Sequence, residues 1–380
     1  MWIAVMSALA LVAQARTLAS PDGGKREWRE LACADGVVLR YAVVLPEPFD
    51  AKQPHPVLLA IPGGSQDRAQ VENNLDAYWQ AQAVARGWVV VAPVAPDSKL
   101  FFQESETRLP PLLDAIERDF VVEGGRVHLA GISNGGLSAF RIATKQPQRF
   151  ASLTVCPGYP PEGADFARLP ALVEMPIAMF GGGSDVEWVQ SMQRTQSRLL
   201  ELGAPSVALT VFPGEGHRPA SADGPRLFTE LEAFRAIARE RAQAESAVRA
   251  VLDDFHLAAS QADGPRYFAH FTADATYIGT DATERWSLAE FRAYATPYFS
   301  AGKGWTYTPG ERHVGLSFDR RTAWFDERLT NAKYGEVRGS GVLRKQGEEW
   351  RIAQYVLSFA VPNELSAELV ERIRKTPRGR

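Results

Sequence analysis

Residues 126–145, RVHLAGISNGGLSAFRIATK, constrain this chain more than any other stretch. Arg126 to Ile132 is short, apolar and β-branched enough for a buried strand, and Leu137, Phe140 and Ala143 then recur at helical spacing. Between them, Gly131-Ile132-Ser133-Asn134-Gly135-Gly136 leaves room only for a tight turn. A serine on such a strand–turn–helix junction is held in a strained backbone conformation with its hydroxyl exposed. Glycines two residues either side keep side chains out of the close strand–helix contact. The helix that begins there also aims its N-terminal amides and positive dipole end at the place where an oxyanion would form. A Gly/Ser turn with no chemistry is the plainer reading of the motif alone; the flanking strand and helix favour a nucleophile elbow.

The segments around it alternate between strand and helix. Leu31–Cys33 and Val37–Val44 read as a hairpin across Asp35-Gly36, and Val57–Ile61 is a fully apolar strand ending in Pro62-Gly63-Gly64-Ser65. Residues 70–86 carry Val71, Leu75, Tyr78, Trp79 and Ala83 on one helical face, with Gly87 at the expected C-cap. Strands follow at Trp88–Ala92, Phe150–Cys156, Pro176–Phe180 and Val207–Phe212, and a helix is expected over 108–120. This alternation predicts a mostly parallel sheet with helices on both faces.

Two strand ends carry candidate partners for Ser133. After Phe180 comes Gly181-Gly182-Gly183-Ser184-Asp185, where Asp185 reads either as the N-cap of the next helix or as a carboxylate that orients a histidine. After Phe212 comes Pro213-Gly214-Glu215-Gly216-His217. His217 alone among six histidines combines a strand-end loop, glycine neighbours and a place after both Ser133 and Asp185.

The chain has 380 residues, 45% hydrophobic and 23% charged, which is ordinary globular composition and calls for two domains. A formal net charge of -3 supplies no basic field for nucleic acid. Residues 1–15, MWIAVMSALALVAQA, read as an export signal ending in Ala13-Gln14-Ala15, too short to span a membrane as a mature helix, so a periplasmic or secreted protein is expected. Cys33 and Cys156 lack metal-site spacing, and an oxidising compartment would permit a bridge between them. No cofactor or metal is called for.

The segments LLAIPGGSQD, GWVVVAPVAP, VHLAGISNGGLSAF, MFGGGSD and FPGEGH, in this order, resemble the α/β-hydrolases of the esterase and depolymerase-like group over roughly residues 30–240. The resemblance implies an α/β-hydrolase fold with Ser133 as nucleophile, His217 as base and then acid, and Asp185 as the orienting carboxylate. It also implies an oxyanion hole from the N–H groups of Asn134 and Gly64. Many relatives have His-Gly where this chain has Pro62-Gly63, which leaves Gly64 and Ser65 both open as the loop donor. The implied activity is hydrolysis of a small or polymeric carboxylic ester; the same triad also serves peptide bonds.

The last third changes character. Residues 222–260 read as the last helix of the first domain followed by the first helix of a new one, with Val248, Val251, Leu252 and Phe255 facing a core. A strand at Ala275–Gly279, a helix around Ser287–Phe299, and strands at Trp305–Pro309, Thr322–Leu329, Val337–Arg344 and Trp350–Phe359 suggest an α+β cone. The stretches YIGTDATERW, AWFDERL, GSGVLRK and EWRIAQYVLSFAVPNE resemble the SnoaL-like branch of the nuclear-transport-factor-2-like superfamily. That resemblance implies a pocket on the concave face of the sheet, with Thr280, Asp281, Glu284, Arg285, Trp286, Asp326, Glu327 and Tyr355 as lining candidates. Core packing of Trp286, Trp324 and Trp350, and a helix cap or local ion pair at Asp281, Glu284 and Arg285, are the alternatives. The resemblance also allows a homodimer through this domain, and a binding or assembly role for it. The expected division is 1–15 signal, 16–241 hydrolase domain, 242–363 SnoaL-like domain, and 364–380 a basic, disordered tail.

Overall fold

The structure, a computed structural model, describes residues 18–19, 26–34 and 36–376. The export segment expected at residues 1–15, Asp35 of the expected hairpin turn and the last four residues lie outside that range. The chain divides into two compact units, Met1–Glu240 and Arg241–Arg380.

The first unit is an α/β-hydrolase fold. Its strands are β1 (Leu18–Ala19), β2 (Arg26–Ala32), β3 (Val38–Val44), β4 (Val57–Ile61), β5 (Val89–Pro93), β6 (Val127–Gly131), β7 (Phe150–Val155), β8 (Ile177–Gly182) and β9 (Val207–Phe212). They form one nine-stranded sheet in the order β1-β2-β3-β5-β4-β6-β7-β8-β9, antiparallel through β5 and parallel from there on. The helices are α1 (Arg68–Asn74), α2 (Gln80–Arg86), α3 (Leu109–Asp119), α4 (Asn134–Lys145), α5 (Gly163–Ala167), α6 (Val186–Glu201) and the start of α7 (Gly224–Ser260). A widened turn over Leu75–Trp79 joins α1 to α2, and Gly87 ends α2 in the left-handed conformation, φ 76°. Strands β4, β5, β6 and β8 are buried at every residue, because helices cover both faces of this part of the sheet. One apolar cluster gathers Leu59, Leu129, Phe140 and Ile177, another Leu58, Trp79, Trp88 and Phe228.

Cys33 and Cys156 are both buried and are not bridged. Burial pushes the Cys156 thiol up to about 12, so it stays protonated and inert at neutral pH.

The second unit is a SnoaL-like α+β cone. Its six-stranded sheet runs β11 (Arg285–Ser287), β10 (Phe271–Ile278), β15 (Glu349–Phe359), β14 (Gly335–Gln346), β13 (Thr322–Asn331) and β12 (Thr308–Leu316). Only the β10–β15 pair is parallel. Residues 241–260 of α7, with α8 (Gly264–Ala269) and α9 (Leu288–Ser300), complete its core, in which Leu252, Phe255, Tyr267, Phe291, Phe325 and Tyr355 meet. Two helices expected over 222–260 are thus one continuous element.

Three elements differ from expectation. The strand expected at Trp305–Pro309 lies at Thr308–Leu316, since an edge strand exposes most of its residues and Gly310–His313 shows little alternation. Helix α9 starts at a capping box formed by Ser287 and Glu290, so Asp281 and Glu284 close a turn ahead of β11 and Arg285 belongs to that strand. The expected disordered tail contains α10 (Ser366–Lys375), supported by Glu368–Arg372 and Glu371–Lys375 ion pairs one turn apart.

Glu327 is fully buried in the second unit. Its Oε1 contacts His256 Nε2 at 2.7 Å and its Oε2 accepts from Arg312 Nε at 2.7 Å, while Tyr355 donates to Oε1 at 3.4 Å. Burial opposes ionisation of this carboxyl, but the contacts with His256 and Arg312 hold it below the usual 4.5. A lowered folded-state pKa means the ionised group's contribution to stability is present above pH 4.5 and lost as pH falls through that lowered value. Glu327→Leu, which leaves His256, Arg312 and Tyr355 without their shared acceptor, is expected to cost this unit about 3 kcal/mol or more. Hydrogen exchange of the β13–β15 amides measures it, and the mutant should lack the wild-type loss at low pH.

Candidate active site

The elbow is as tight as its glycines imply. Ser133 follows β6 at φ 56°, ψ -118°, and α4 starts at the next residue. A Cβ added to Gly131 would lie 2.1 Å from the Gly135 carbonyl oxygen; one on Gly135, 2.2 Å from that of Ile61; one on Gly136, 2.1 Å from that of Pro157. Strand, helix start and both neighbouring loops are in backbone contact, which no side chain survives. Hydrogen bonds hold Ser133 there: its N–H donates to Cys156 O at 3.2 Å and its carbonyl accepts from Gly136 and Leu137.

The carboxyl ends of β6, β8 and β9 bring Ser133, Asp185 and His217 together. Ser133 Oγ lies 2.7 Å from His217 Nε2, and His217 Nδ1 lies 2.6 Å from Asp185 Oδ2. Asp185 occupies the N-cap position of α6, yet its carboxylate makes no capping bond and serves the imidazole instead. Both sequence readings of this residue therefore meet at one position, with the side chain given to His217. The two loops are fastened to each other by backbone: Gly183 N donates to Phe212 O at 2.8 Å and Ser184 N to Glu215 O at 2.9 Å. A Cβ on Gly182 would stand 2.0 Å from Gly216 O, so this glycine sets the separation of the acid and histidine loops. The imidazole stays 39% exposed, open to a reactant, and the carboxylate 19%.

The glycine loop after β4 is anchored by side chains the sequence reading passed over. Asn74 Oδ1 accepts from Gly63 N at 3.1 Å. Gln66, fully buried at φ 54°, donates from Nε2 to Ser138 Oγ on α4 and accepts from Phe101 N at Oε1. Its N–H donates to Gly63 O. The Asn134 side chain adds a bond from Nδ2 to Gly64 O at 2.9 Å. Gly63 and Gln66 thus have their N–H groups engaged, while Gly64 and Ser65 lie between them on the exposed turn. Asn134, as first residue of α4, has no partner for its N–H within the helix.

Trp188 also escaped the sequence reading, although it lies three residues after Asp185, one helical turn away. Its ring stands 4.7 Å from that of His217 at 80°, and Tyr159 stands 5.0 Å from Trp188 at 70°.

In the second unit, a cavity of about 310 Å³ is lined by Thr280, Glu284, Trp286, Tyr294, Tyr307 and Tyr334 among others. Of the expected lining residues it takes Thr280, Glu284 and Trp286 and leaves out the rest. Glu327 and Tyr355 are sealed in the core, where Glu327 pairs with Arg312 and His256; Asp281 is exposed at the turn, Arg285 is exposed on β11, and Asp326 points to the opposite face of β13 from Glu327. Trp350 is core as expected, but Trp324 is 52% exposed and lies over Gly315. No group of three or more metal-ligating side chains occurs among the described residues, and no helix among them is long and apolar enough to cross a membrane.

Residues 248–362 match the SnoaL-like domain family. A bifunctional acetylxylan esterase/xylanase from Neocallimastix patriciarum is 25% identical over 134 residues, 34% of this chain and 19% of that protein. Dipeptidyl-peptidase 5 of Porphyromonas gingivalis is 25% identical over 146 residues, 35% of this chain and 21% of that protein. The matches therefore span about a fifth of the length of these curated relatives. An S-formylglutathione hydrolase structure from Agrobacterium tumefaciens is similar at 18% identity and TM-score 0.45, covering 58% of this chain and 98% of that one.

The elbow contacts predict a sharp contrast between two glycines. Gly135→Ala drives a Cβ into two backbone carbonyls and is expected to cost about 3 kcal/mol or more. Gly163→Ala, on open helix surface, should leave the thermal midpoint unchanged or slightly raised. Differential scanning calorimetry reads both.

Proposed function

We propose that the protein is a serine hydrolase that cleaves carboxylic esters through an acyl-enzyme on Ser133. What carries the reading is the unbroken path of 2.7 Å and 2.6 Å contacts from Ser133 through His217 to Asp185, on a strained strand–helix turn. Ser133 Oγ attacks the ester carbonyl carbon as His217 Nε2 takes its proton; Asp185 holds the Nδ1–H tautomer and stabilises the imidazolium. The tetrahedral intermediate expels the alkoxide, which leaves as alcohol with the proton from His217. Water then attacks the acyl carbon, gives its proton to His217, and the carboxylic acid departs as Ser133 recovers its hydrogen.

For the oxyanion we assign the backbone N–H groups of Asn134 and Gly64. The Asn134 amide holds the Gly64 carbonyl, and in a trans peptide the following N–H points opposite to that carbonyl. Ser65 N–H is thereby turned away from the elbow, which favours Gly64 as the loop donor. Neither donor is a side chain, so the hole is preorganised by the fold itself.

The name of one relative, a bifunctional acetylxylan esterase/xylanase, supports the ester bond, and the SnoaL-like unit is assigned an accessory role. Export to the periplasm or medium fits the expected signal segment.

Ser133→Ala is expected to lower turnover of p-nitrophenyl acetate by about 10⁴-fold or more with an unchanged circular dichroism spectrum. Asp185→Asn, which offers the imidazole the wrong tautomer, should cost roughly 10⁴-fold in kcat. Retained activity in Ser133→Ala would sink the assignment, and hydrolysis of dipeptidyl anilides in preference to esters would move it to peptidases.

A further inference from the structure

We propose that Trp188 and Tyr159 wall the alcohol-side subsite and that the preferred substrates are esters of planar, aromatic alcohols. The inference rests on the acyl-transfer reading above and concerns what the same site selects.

In that reaction His217 Nε2 first takes the proton of Ser133 and next hands it to the departing oxygen. The group attached to that oxygen must therefore lie alongside the imidazole, on the side away from the acyl carbon. Trp188 borders this ring, its centroid 4.7 Å away and its plane at 80°. Tyr159 continues the wall, 5.0 Å from Trp188 at 70°. Both rings are only half-buried, so each retains surface for another ring.

The wall is rigidly placed from two directions. Trp188 sits in the first turn of α6, three residues after the carboxylate that holds His217. Tyr159 follows Gly158, which packs against α4 so closely that a Cβ on it would lie 2.7 Å from Gly136 Cα. The loop carrying Tyr159 is fixed further along by Arg141 of α4. That guanidinium donates to Asp165 Oδ2 from Nε at 3.1 Å and from Nη2 at 2.7 Å, with Asp165 almost fully buried.

Aromatic rings favour offset or perpendicular partners because their faces are negative and their edges positive, a pattern a saturated ring of the same size cannot match. A wall of two edge-packed rings beside the proton donor thus discriminates by planarity of the leaving group.

The test compares benzyl acetate with cyclohexylmethyl acetate on the full chain. The two share an acyl group and a CH2–O leaving oxygen, so they differ mainly in the planarity of the ring. The expected kcat/KM ratio favours benzyl by about three- to tenfold, falls to near one in Trp188→Leu, and is largely kept in Trp188→Phe. A wild-type ratio near one overturns the proposal, as does a Trp188→Leu variant in which both esters slow together with the ratio intact, since Trp188 would then act on His217 alone. Fluorophosphonate labelling in parallel separates the two levels. Labelled Ser133 without ring preference defeats only the subsite, whereas an unlabelled serine with neither ester cleaved defeats the hydrolase reading and the subsite with it.

Discussion

Backbone-to-backbone closeness at the elbow is the constraint on which the rest of the first unit depends. Ser133 occupies a conformation that costs a non-glycine residue about 1–3 kcal/mol and persists only where surroundings over-determine it. Here the surroundings are the ends of β4, β6 and β7 and the start of α4, drawn together because Gly131, Gly135 and Gly136 present no Cβ. That approach lets Ser133 N–H reach Cys156 O across to the neighbouring strand end and lets Asn134 reach the Gly64 carbonyl. The strain and the site are therefore one feature: relaxing the turn would separate the hydroxyl from His217 and the glycine loop from α4.

The two units handle charge in opposite ways. In the second, Glu327 is withdrawn from solvent entirely and each of its oxygens is matched to His256, Arg312 or Tyr355, the condition under which a buried carboxylate is tolerable. In the first, Asp185 is partly wet and has one dedicated partner, the imidazole, although its position on α6 invites it to cap the helix. A carboxylate that gives up a cap, commonly worth about 1 kcal/mol, does so because the histidine loop is fastened against it by Gly183 and Ser184.

Much of this was legible in the sequence, for physical reasons that also explain the gaps. The parallel core strands were visible because full burial forces continuous apolar runs, as in Val57–Ile61 and Val89–Ala92. The candidate positions stand out because glycines mark places where backbone must come close, and each of Ser133, Asp185 and His217 lies within two residues of one. Edge strand β12 lies away from its expected place because exposure erases alternation, and α10 buries no residue that would mark it, having only ion pairs one turn apart. Gln66 and Asn74 had no signal at all, since a buried amide is recognised only by the backbone groups it satisfies. Glu327 and Tyr355 alternate along their strands like lining residues, and only the fold reveals that these two side chains are enclosed in the core.

The placement of Trp188 gives the proposed subsite a property that a wall built on a separate loop would lack. Asp185 and Trp188 are the N-cap and third residue of one helix, so a rigid shift of α6 moves the carboxylate and the ring by the same amount. His217 is bound to the first and packed against the second, and it follows both. In the proposed reaction, proton transfer and leaving-group selection would thus share a common frame of one helical turn, while Tyr159, arriving from another loop, would be the part of the wall that can change without disturbing the chemistry.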